Sequence, residues 1–575
     1  MTIGKNKKIY LLLLFFNLLR IFCFSQSFEE LYEKGLKLYN ENNYFEAEIY
    51  LREALKFGVK KATIHFLIGM CFAFQNKLEE AERNFLISLK LNKSFEESYI
   101  ELGGLYFKKK EYQKAEQMIK KAIKINPENK YSHDFLGTLY YINGLTYLTL
   151  YEWNKINKPV LENLLIESEY FSKKEFLFKE LCFNPGQIIK PSMLMESLER
   201  LGRIGNISNI SFSIIPKKEN NNNYNLQFSS YEEKGFGKNI VFFFITLLKD
   251  ISQKMLHLDY KNINDININA YSTYSFDKFR KKFQLLLSFP RFSKLPFYFS
   301  VDYTQRNELW NLHNFIPDQA KVERWIKTKE FTLKFDYIHN DKISYFHYLK
   351  LKIRDTRNDF YPSENERALF SPLVKNIFKY GGEFKFNLIH NLPRNFNSDF
   401  LLGYEILSEK NGSDSNFIKI LLTLENIKLG RRNLSELVTS SLLWRLKLGY
   451  SSQRIPLEEK FNLGIGPDTN HYLRAHSSTY RGKRGNSPLV DKFILSNLQY
   501  GHHLFNLFPL RVEGGIFIDF ANLYGKKSIN YKDKFIIDVG VFAKFYLFKF
   551  PFILSFGQNF KENINCLYFS SDLKF

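Results

Sequence analysis

From about Gly237 to the last residue, the chain alternates apolar and polar residues with a period of two in about fifteen separate stretches, and this limits the possible folds more than any other feature. Phe297-Tyr-Phe-Ser-Val-Asp-Tyr303, Thr332-Leu-Lys-Phe-Asp-Tyr337 and Val539-Gly-Val-Phe-Ala-Lys-Phe545 are examples. Successive side chains of a strand point to opposite faces, so each stretch has one greasy side and one wet side. The final stretch, Ile564 to Phe575, puts Leu567, Phe569, Leu573 and Phe575 on one side and Ser570, Asp572 and Lys574 on the other. Lys334 and Asp336 share a face that is expected to point into a lumen, because a lysine facing lipid at mid-depth costs about 2 to 4 kcal/mol. The expected architecture here is a transmembrane antiparallel β-barrel over 237–575. An even strand count is the rule for such barrels, and allowing for one strand missed by eye the expectation is sixteen.

The chain has 575 residues with 59 Phe and 35 Tyr, more aromatic residues than a soluble domain of ordinary composition carries. Hydrophobic content is nevertheless 45% and the mean hydropathy −0.30. Past the N-terminus there is no apolar run of about 18 residues, so helical membrane spans are excluded. A closed barrel hides its apolar band in alternate positions and fits this average. At the N-terminus, Lys5, Lys7 and Lys8 precede an apolar block from Tyr10 to Phe24 and then Ser25-Gln-Ser27, which is the order of a secretory signal peptide over 1–25. Export and cleavage near Ser25 are expected, with lipidation of Cys23 as the alternative. Arg20 inside the block argues against an anchoring helix.

Cys71, Cys182 and Cys566 have neither paired spacing nor a histidine partner, so packing thiols are expected rather than a disulfide framework or a zinc site. His471, His476, His502 and His503 are expected at turns and rims; no metal or cofactor is implied. The formal charge of +22 is spread along the whole chain rather than gathered in one stripe. Together with export, that points to anionic lipid surfaces rather than nucleic acid as the charge's partner.

Residues 28–129 repeat every 34 residues. The fixed points are Gly35, Gly69, Gly103 and Gly137, then Ala47, Ala81 and Ala115, then Ala54, Ser88 and Ala122. Small residues at this spacing let two helices of a hairpin cross closely, while Leu38, Phe72, Tyr106 and Tyr140 fill the gap one turn on. The pattern resembles the tetratricopeptide repeat. Three repeats are complete; a fourth starts near Lys130 and loses its second-helix pattern after Gly144. An array over 28–156 is expected, stacked into a superhelix that presents a concave face to periplasmic protein partners. Lys108-Lys109-Lys110 reads as a solvated turn.

Between 158 and 234 the order is strand (Leu161 to Phe171), two helices split by Asn184-Pro-Gly186, then two strands (Ile207 to Ile215 and Tyr224 to Tyr231). The second helix, Pro191 to Ile204, starts with Pro in its first turn, sets Leu194, Leu198 and Leu201 on one face and stops at Gly205. With "NPGQ" before this helix and "LERLGRIGNISNISFSI" across its exit, the segment resembles a POTRA domain, the α+β periplasmic adaptor of outer-membrane assembly barrels. The resemblance implies capture of an extended client strand by edge addition; a plain spacer is the alternative.

Near the C-terminus come Phe461-Asn-Leu-Gly-Ile-Gly466, Tyr472-Leu-Arg-Ala-His476, Tyr480-Arg-Gly-Lys-Arg-Gly-Asn486, Ser496-Asn-Leu-Gln-Tyr500 and Gly514-Gly-Ile-Phe-Ile-Asp519. In this order, with a terminal strand ending on Phe, residues 461–575 resemble the C-terminal half of the bacterial surface antigen family, which includes BamA-like and TamA-like assembly factors and two-partner secretion transporters. The resemblance implies that a long extracellular loop folds into the lumen, where its arginine meets an inner-wall acid. Arg474 takes the arginine role by position and Asp519 the acid role, with Arg481 a competing arginine. Ala475 and His476 depart from the family motif, and Gln499 stands where a second acid is usual; Glu513 is a candidate replacement. Arg511, Glu513, Phe517 and Asp519 share one strand face.

The function so implied is assembly or translocation of polypeptides at the outer membrane, through a POTRA-fed barrel whose seam lies between a first strand near Ile240 to Leu248 and Leu567 to Phe575. A passive porin and a barrel-anchored repeat scaffold are the rivals. No nucleophile, base and orienter fall at recognisable spacing, so no enzyme is expected.

Overall fold

The computed structural model describes residues 27–570 except for 58–60, 170–173, 218–222, 237–243, 245–246, 248–249, 252–253, 292–296, 312–322, 357–373, 392–395, 411–415, 431–438, 453–454, 467–472, 482, 508–509, 525–534 and 548–549. The signal-peptide segment with Cys23, together with His471, Leu573 and Phe575, therefore lies outside the described residues. The chain divides into two compact units, the first ending at Pro159 and the second starting at Val160.

The first unit is four helical hairpins: α1 (Phe28–Asn40) with α2 (Tyr44–Leu55), α3 (Ala62–Phe74) with α4 (Leu78–Leu91), α5 (Glu96–Lys108) with α6 (Tyr112–Ile125), and α7 (Lys130–Ile142) with α8 (Thr146–Trp153). Ser27 caps α1 through a reciprocal box with Glu30, satisfying two end amides. The repeated glycines meet a large side chain sixteen positions later: a Cβ at Gly35 would lie 2.9 Å from Leu51, at Gly69 2.7 Å from Phe85 and at Gly103 2.5 Å from Ile119. Ala47, Ala81 and Ala115 are fully buried where the helices cross.

The fourth hairpin forms a second helix although the sequence pattern for it is lost after Gly144. The alanine position is taken by Thr149, buried, whose hydroxyl donates to the Leu145 carbonyl at 3.1 Å. The large anchor becomes Trp153, whose ring would sit 2.2 Å from a Cβ at Gly137 and whose indole N–H donates to the Asp134 carbonyl at 3.2 Å. Neighbouring repeats are tied by a recurrent polar link: Tyr106 donates to Glu82 at 2.8 Å, and Tyr140 to Glu116 at 3.3 Å. Burial pushes the Cys71 thiol up to about 12, which leaves it an inert packing group.

The second unit begins with a three-stranded sheet covered by two helices. Its elements are β1 (Val160–Glu169), α9 (Lys174–Glu180), α10 (Pro191–Ile204), β2 (Ile207–Pro216) and β3 (Asn223–Glu232). The sheet order is β1-β3-β2, with β1 parallel to β3 and β2 antiparallel to it. Proline opens α10 and Gly205, at φ +80°, closes it in the left-handed conformation that glycine adopts without strain. Leu177, Leu194, Leu201, Leu226 and Phe228 form the buried core between helices and sheet. Burial raises the Cys182 thiol to about 11.

The remainder closes into an antiparallel barrel of long strands. In chain order these are β4 (Met255–Ile263), β5 (Ile268–Asp277), β6 (Arg280–Phe289), β7 (Phe297–Asn311), β8 (Glu323–Ile338), β9 (Ile343–Asp355), β10 (Val374–Asn391), β11 (Phe396–Lys410), β12 (Asn416–Gly430) and β13 (Ser440–Ser451). After a long connection carrying β14 (Phe461–Asn462), β15 (Gly464–Ile465), β16 (Leu473–Ser477), β17 (Thr479–Tyr480), β18 (Lys483–Arg484) and β19 (Leu489–Val490), the wall resumes. It ends with β20 (Lys492–Leu507), β21 (Leu510–Tyr524), β22 (Phe535–Leu547), β23 (Phe550–Asn559) and β24 (Ile564–Ser570). Fifteen long strands thus fall among the described residues. The strand expected over Ile240 to Leu248 lies almost wholly outside them, and its two described positions, Phe244 and Leu247, are helical rather than extended.

The barrel is the inverse of a water-soluble core. Outward side chains are large and apolar yet exposed, among them Leu567 at 68%, Ile516 at 58% and Phe569 at 52%. Inward side chains are charged yet buried, among them Arg354, Lys352, Lys379, Asp519 and Asp538. A monomeric soluble protein does not expose a continuous belt of this kind, whereas lipid covers it without penalty. The small sheet domain is fixed to one rim. Arg203 pairs with Asp336 at 3.1 Å, Asn206 donates to Asn267 at 2.8 Å, Asn269 donates to the Ile204 carbonyl at 2.6 Å and Tyr298 donates to Glu180 at 2.5 Å. Most connections at that rim are short, such as the turn between β4 and β5. The long ones, including the connection from β13 to β20, leave the opposite rim.

Candidate functional site

The described parts of the connection from β13 to β20 lie in the lumen. Its own apolar residues dictate this, since Phe461, Leu463, Leu473 and Val490 join one buried cluster with Phe493, Leu495, Ala521, Leu523 and Ile536 of the inner wall. At its base β14 pairs with β19, and Lys460 forms an ion pair with Asp491. Further along, β15 and β16 pair in parallel, and β17 and β18 form a small hairpin.

The segment Leu473–Ser477 is laid across a row of inward polar side chains. Asn497 on β20 is registered with Asp519 on β21, and Asp519 with Asp538 on β22. Two carboxylates directly opposite on neighbouring strands repel, so their ionisation demands compensation. The loop supplies it twice. Arg474 donates from Nη2 to Asp519 Oδ1 at 2.6 Å and from Nε to Oδ2 at 2.9 Å, a bidentate fork, while its backbone N–H donates to Oδ2 at 3.1 Å. Its guanidinium lies 3.6 Å from the ring centroid of Phe517, and Nη1 donates to Gln499 Oε1 at 2.7 Å. Asn497 adds a donor to Asp519 at 2.8 Å.

The second acid has its own partner. Asp538 accepts from the Ala475 backbone N–H at 2.8 Å and faces His476 Nδ1 at 3.0 Å, while His476 Nε2 faces Glu562 Oε2 at 3.2 Å. With a carboxylate at each ring nitrogen, both nitrogens donate, which is the imidazolium form. Asn559 donates to the other oxygen of Asp538 at 3.0 Å. Close approach of the loop to the wall depends on Gly557 of β23, where a Cβ would fall 2.5 Å from the Arg474 carbonyl carbon.

Of the residues read from the sequence, Arg474 and Asp519 come together directly, both buried. Arg481 does not join them; it sits exposed in the turn between β17 and β18 at φ +49°. The same hairpin instead binds the wall through Arg484, 2.9 Å from Glu308, and Lys483, 2.5 Å from Glu323. Glu513 is not the second acceptor on Arg474, because Arg511 holds it at 2.5 Å; that place belongs to Gln499. His476, expected at a turn or rim, is wholly buried between two acids. Leu567 and Phe569 lie on the exposed outer face of β24. Asp538, Glu562, Glu458 and Glu459 were missed by sequence reasoning. The inward face of β22 carries a signal for Asp538, but Glu458 and Glu459 sit in a charged stretch that reads as an ordinary solvated turn.

A family model for the tetratricopeptide repeat matches residues 96–129. No curated protein matches the chain. Among solved structures, it is similar to BamA from Haemophilus ducreyi lacking POTRA domains 1–3, with 12% identity and a TM-score of 0.44 over 72% of this chain and 84% of that one. It is also similar to CdiB from Acinetobacter baumannii, with 13% identity and a TM-score of 0.45 over 72% of this chain and 74% of that one. The structure of MamA is similar over 22% of this chain and 75% of that one, with 20% identity and a TM-score of 0.22.

Proposed function

We propose that this protein is an outer-membrane assembly or translocation barrel that takes up polypeptides in extended form. The observation carrying this reading is the union of two features in one unit: a small β1-β3-β2 sheet fixed at the barrel rim, and a lumen occupied by a loop pinned through Arg474 and Asp519. Among the described strands β2 pairs only with β3, so its other edge offers backbone donors and acceptors to an incoming chain. Edge addition gives affinity without reading side-chain sequence, which suits varied clients. In this reading the sheet domain is a POTRA-like adaptor in the periplasm, the repeat array gathers periplasmic partner proteins, and the long loops face outward. No bond is made or broken; the work is pairing of backbone groups that are costly to leave bare in lipid. A passive solute pore fits less well, because it gives no role to a loop docked on the inner wall through Arg474 and Asp519 or to the sheet domain at the rim.

A photo-crosslinking residue at Ser211, on the edge strand β2, tests this in living cells. The expected adducts are unfolded or extended envelope polypeptides. Absence of such adducts, together with a large stable conductance of the purified protein in planar bilayers, would replace the proposal with a channel.

A further inference from the structure

The leading limb of the lumen loop, Ile455–Lys460, lies against a different part of the wall from Arg474. Glu459 accepts from Lys352 Nζ of β9 at 2.6 Å and is also ion-paired with Lys379 of β10, and all three groups are buried. Beside it, Glu458 lies 3.4 Å from Arg354, and Ile455 packs with Ile377, Leu407 and Phe417. Along the wall, β11, β12, β13 and β20 separate β10 from β21, which carries Asp519. The charges are complementary at both ends: the acidic limb meets Lys352, Arg354 and Lys379 on a wall that also carries Glu330, and a basic segment meets Asp519 and Asp538.

We infer that Glu459 is a positioning residue, an anchor of the leading limb that makes the loop a brace across the lumen, so that loosening the far limb at Arg474 leaves the leading limb held. Two buried ammonium groups converge on this one carboxylate. Its withdrawal takes the nearer carboxylate from Lys352, which keeps Glu330 at 3.7 Å, and removes the ion pair of Lys379, and so the limb stays docked unless that cost is met. The inference deepens the proposed function, in which the loop must move for a chain to pass, and it rests on that reading for its purpose only.

The test reads loop access and not client handling, so its failure is distinct from failure of the crosslinking experiment. Full-length protein carrying Leu457→Cys or Ala475→Cys, both buried positions, is exposed to N-ethylmaleimide and modification of each peptide is followed by mass spectrometry. Adding Glu459→Gln is expected to speed modification at 457 on the order of tenfold while 475 changes less than about twofold, and adding Arg474→Ala to do the reverse. If either substitution exposes both positions alike, or Glu459→Gln exposes neither, the second anchor does not exist. Should the Gln variant fail to fold, Lys352→Gln removes one of the two ammonium groups and is judged by the same outcomes.

Discussion

Arg474→Ala and Asp519→Asn each lower the temperature at which the folded barrel converts to the unfolded band in semi-native gels, by the largest margin expected for any single substitution in the wall or loop. Removing one partner of a buried ion pair costs about 3 to 5 kcal/mol, because the other is left charged and out of water. Without Arg474, Asp519 keeps Asn497 but stands opposite Asp538 on the neighbouring strand, beside a His476 already shared between Asp538 and Glu562. Without the Asp519 charge, the guanidinium keeps Gln499 and the Phe517 face, neither of which neutralises it. Arg474→Lys retains the charge but not the two-pronged geometry, and falls between wild type and the alanine variant. Transitions unchanged in both of the first two variants would remove the pair from any account of the loop.

Trp153→Ala is expected to cost the repeat array about 3 to 5 kcal/mol, the range for deleting a large buried aromatic. The ring is 4% exposed, fills the space over Gly137, stacks with Tyr141 at 5.8 Å and ties its N–H to Asp134. Limited proteolysis of the full chain should then show early cleavage within residues 130–156, and the helical signal should melt at lower temperature. Phe45→Ala, at a side chain 61% exposed, is the matched control and should shift stability by less than about 0.5 kcal/mol. Equal resistance of the two variants would mean that the fourth hairpin contributes nothing to the array.

The two-residue and 34-residue periods made both units legible, because each records a geometry repeated many times over. Single positions within them were legible only where a motif marked them. Arg474 and Asp519 were marked by the resemblance to a family motif, whereas Glu459 was not, since two glutamates beside a lysine look the same whether they face water or Lys352 and Lys379. The fourth hairpin was obscured for a related reason: Thr149 replaces a diagnostic alanine and Trp153 replaces the aliphatic or Phe anchors of earlier repeats, although the space filled is the same. His476 was misread because what surrounds it depends on strand register. Asp538 lies 62 residues away in sequence, and nothing local announces that a loop histidine will land on it.

The wall on which Arg474 and His476 rest is built from β20 to β23, all of which follow the loop in the chain. The hold on Ile455–Lys460, by contrast, comes from β9 and β10, which precede the loop. The plug and the last strands are thus mutually dependent: the loop has no wall to rest on until β20 to β23 have paired, and the inward acids of β21 and β22 have no loop cation until it docks.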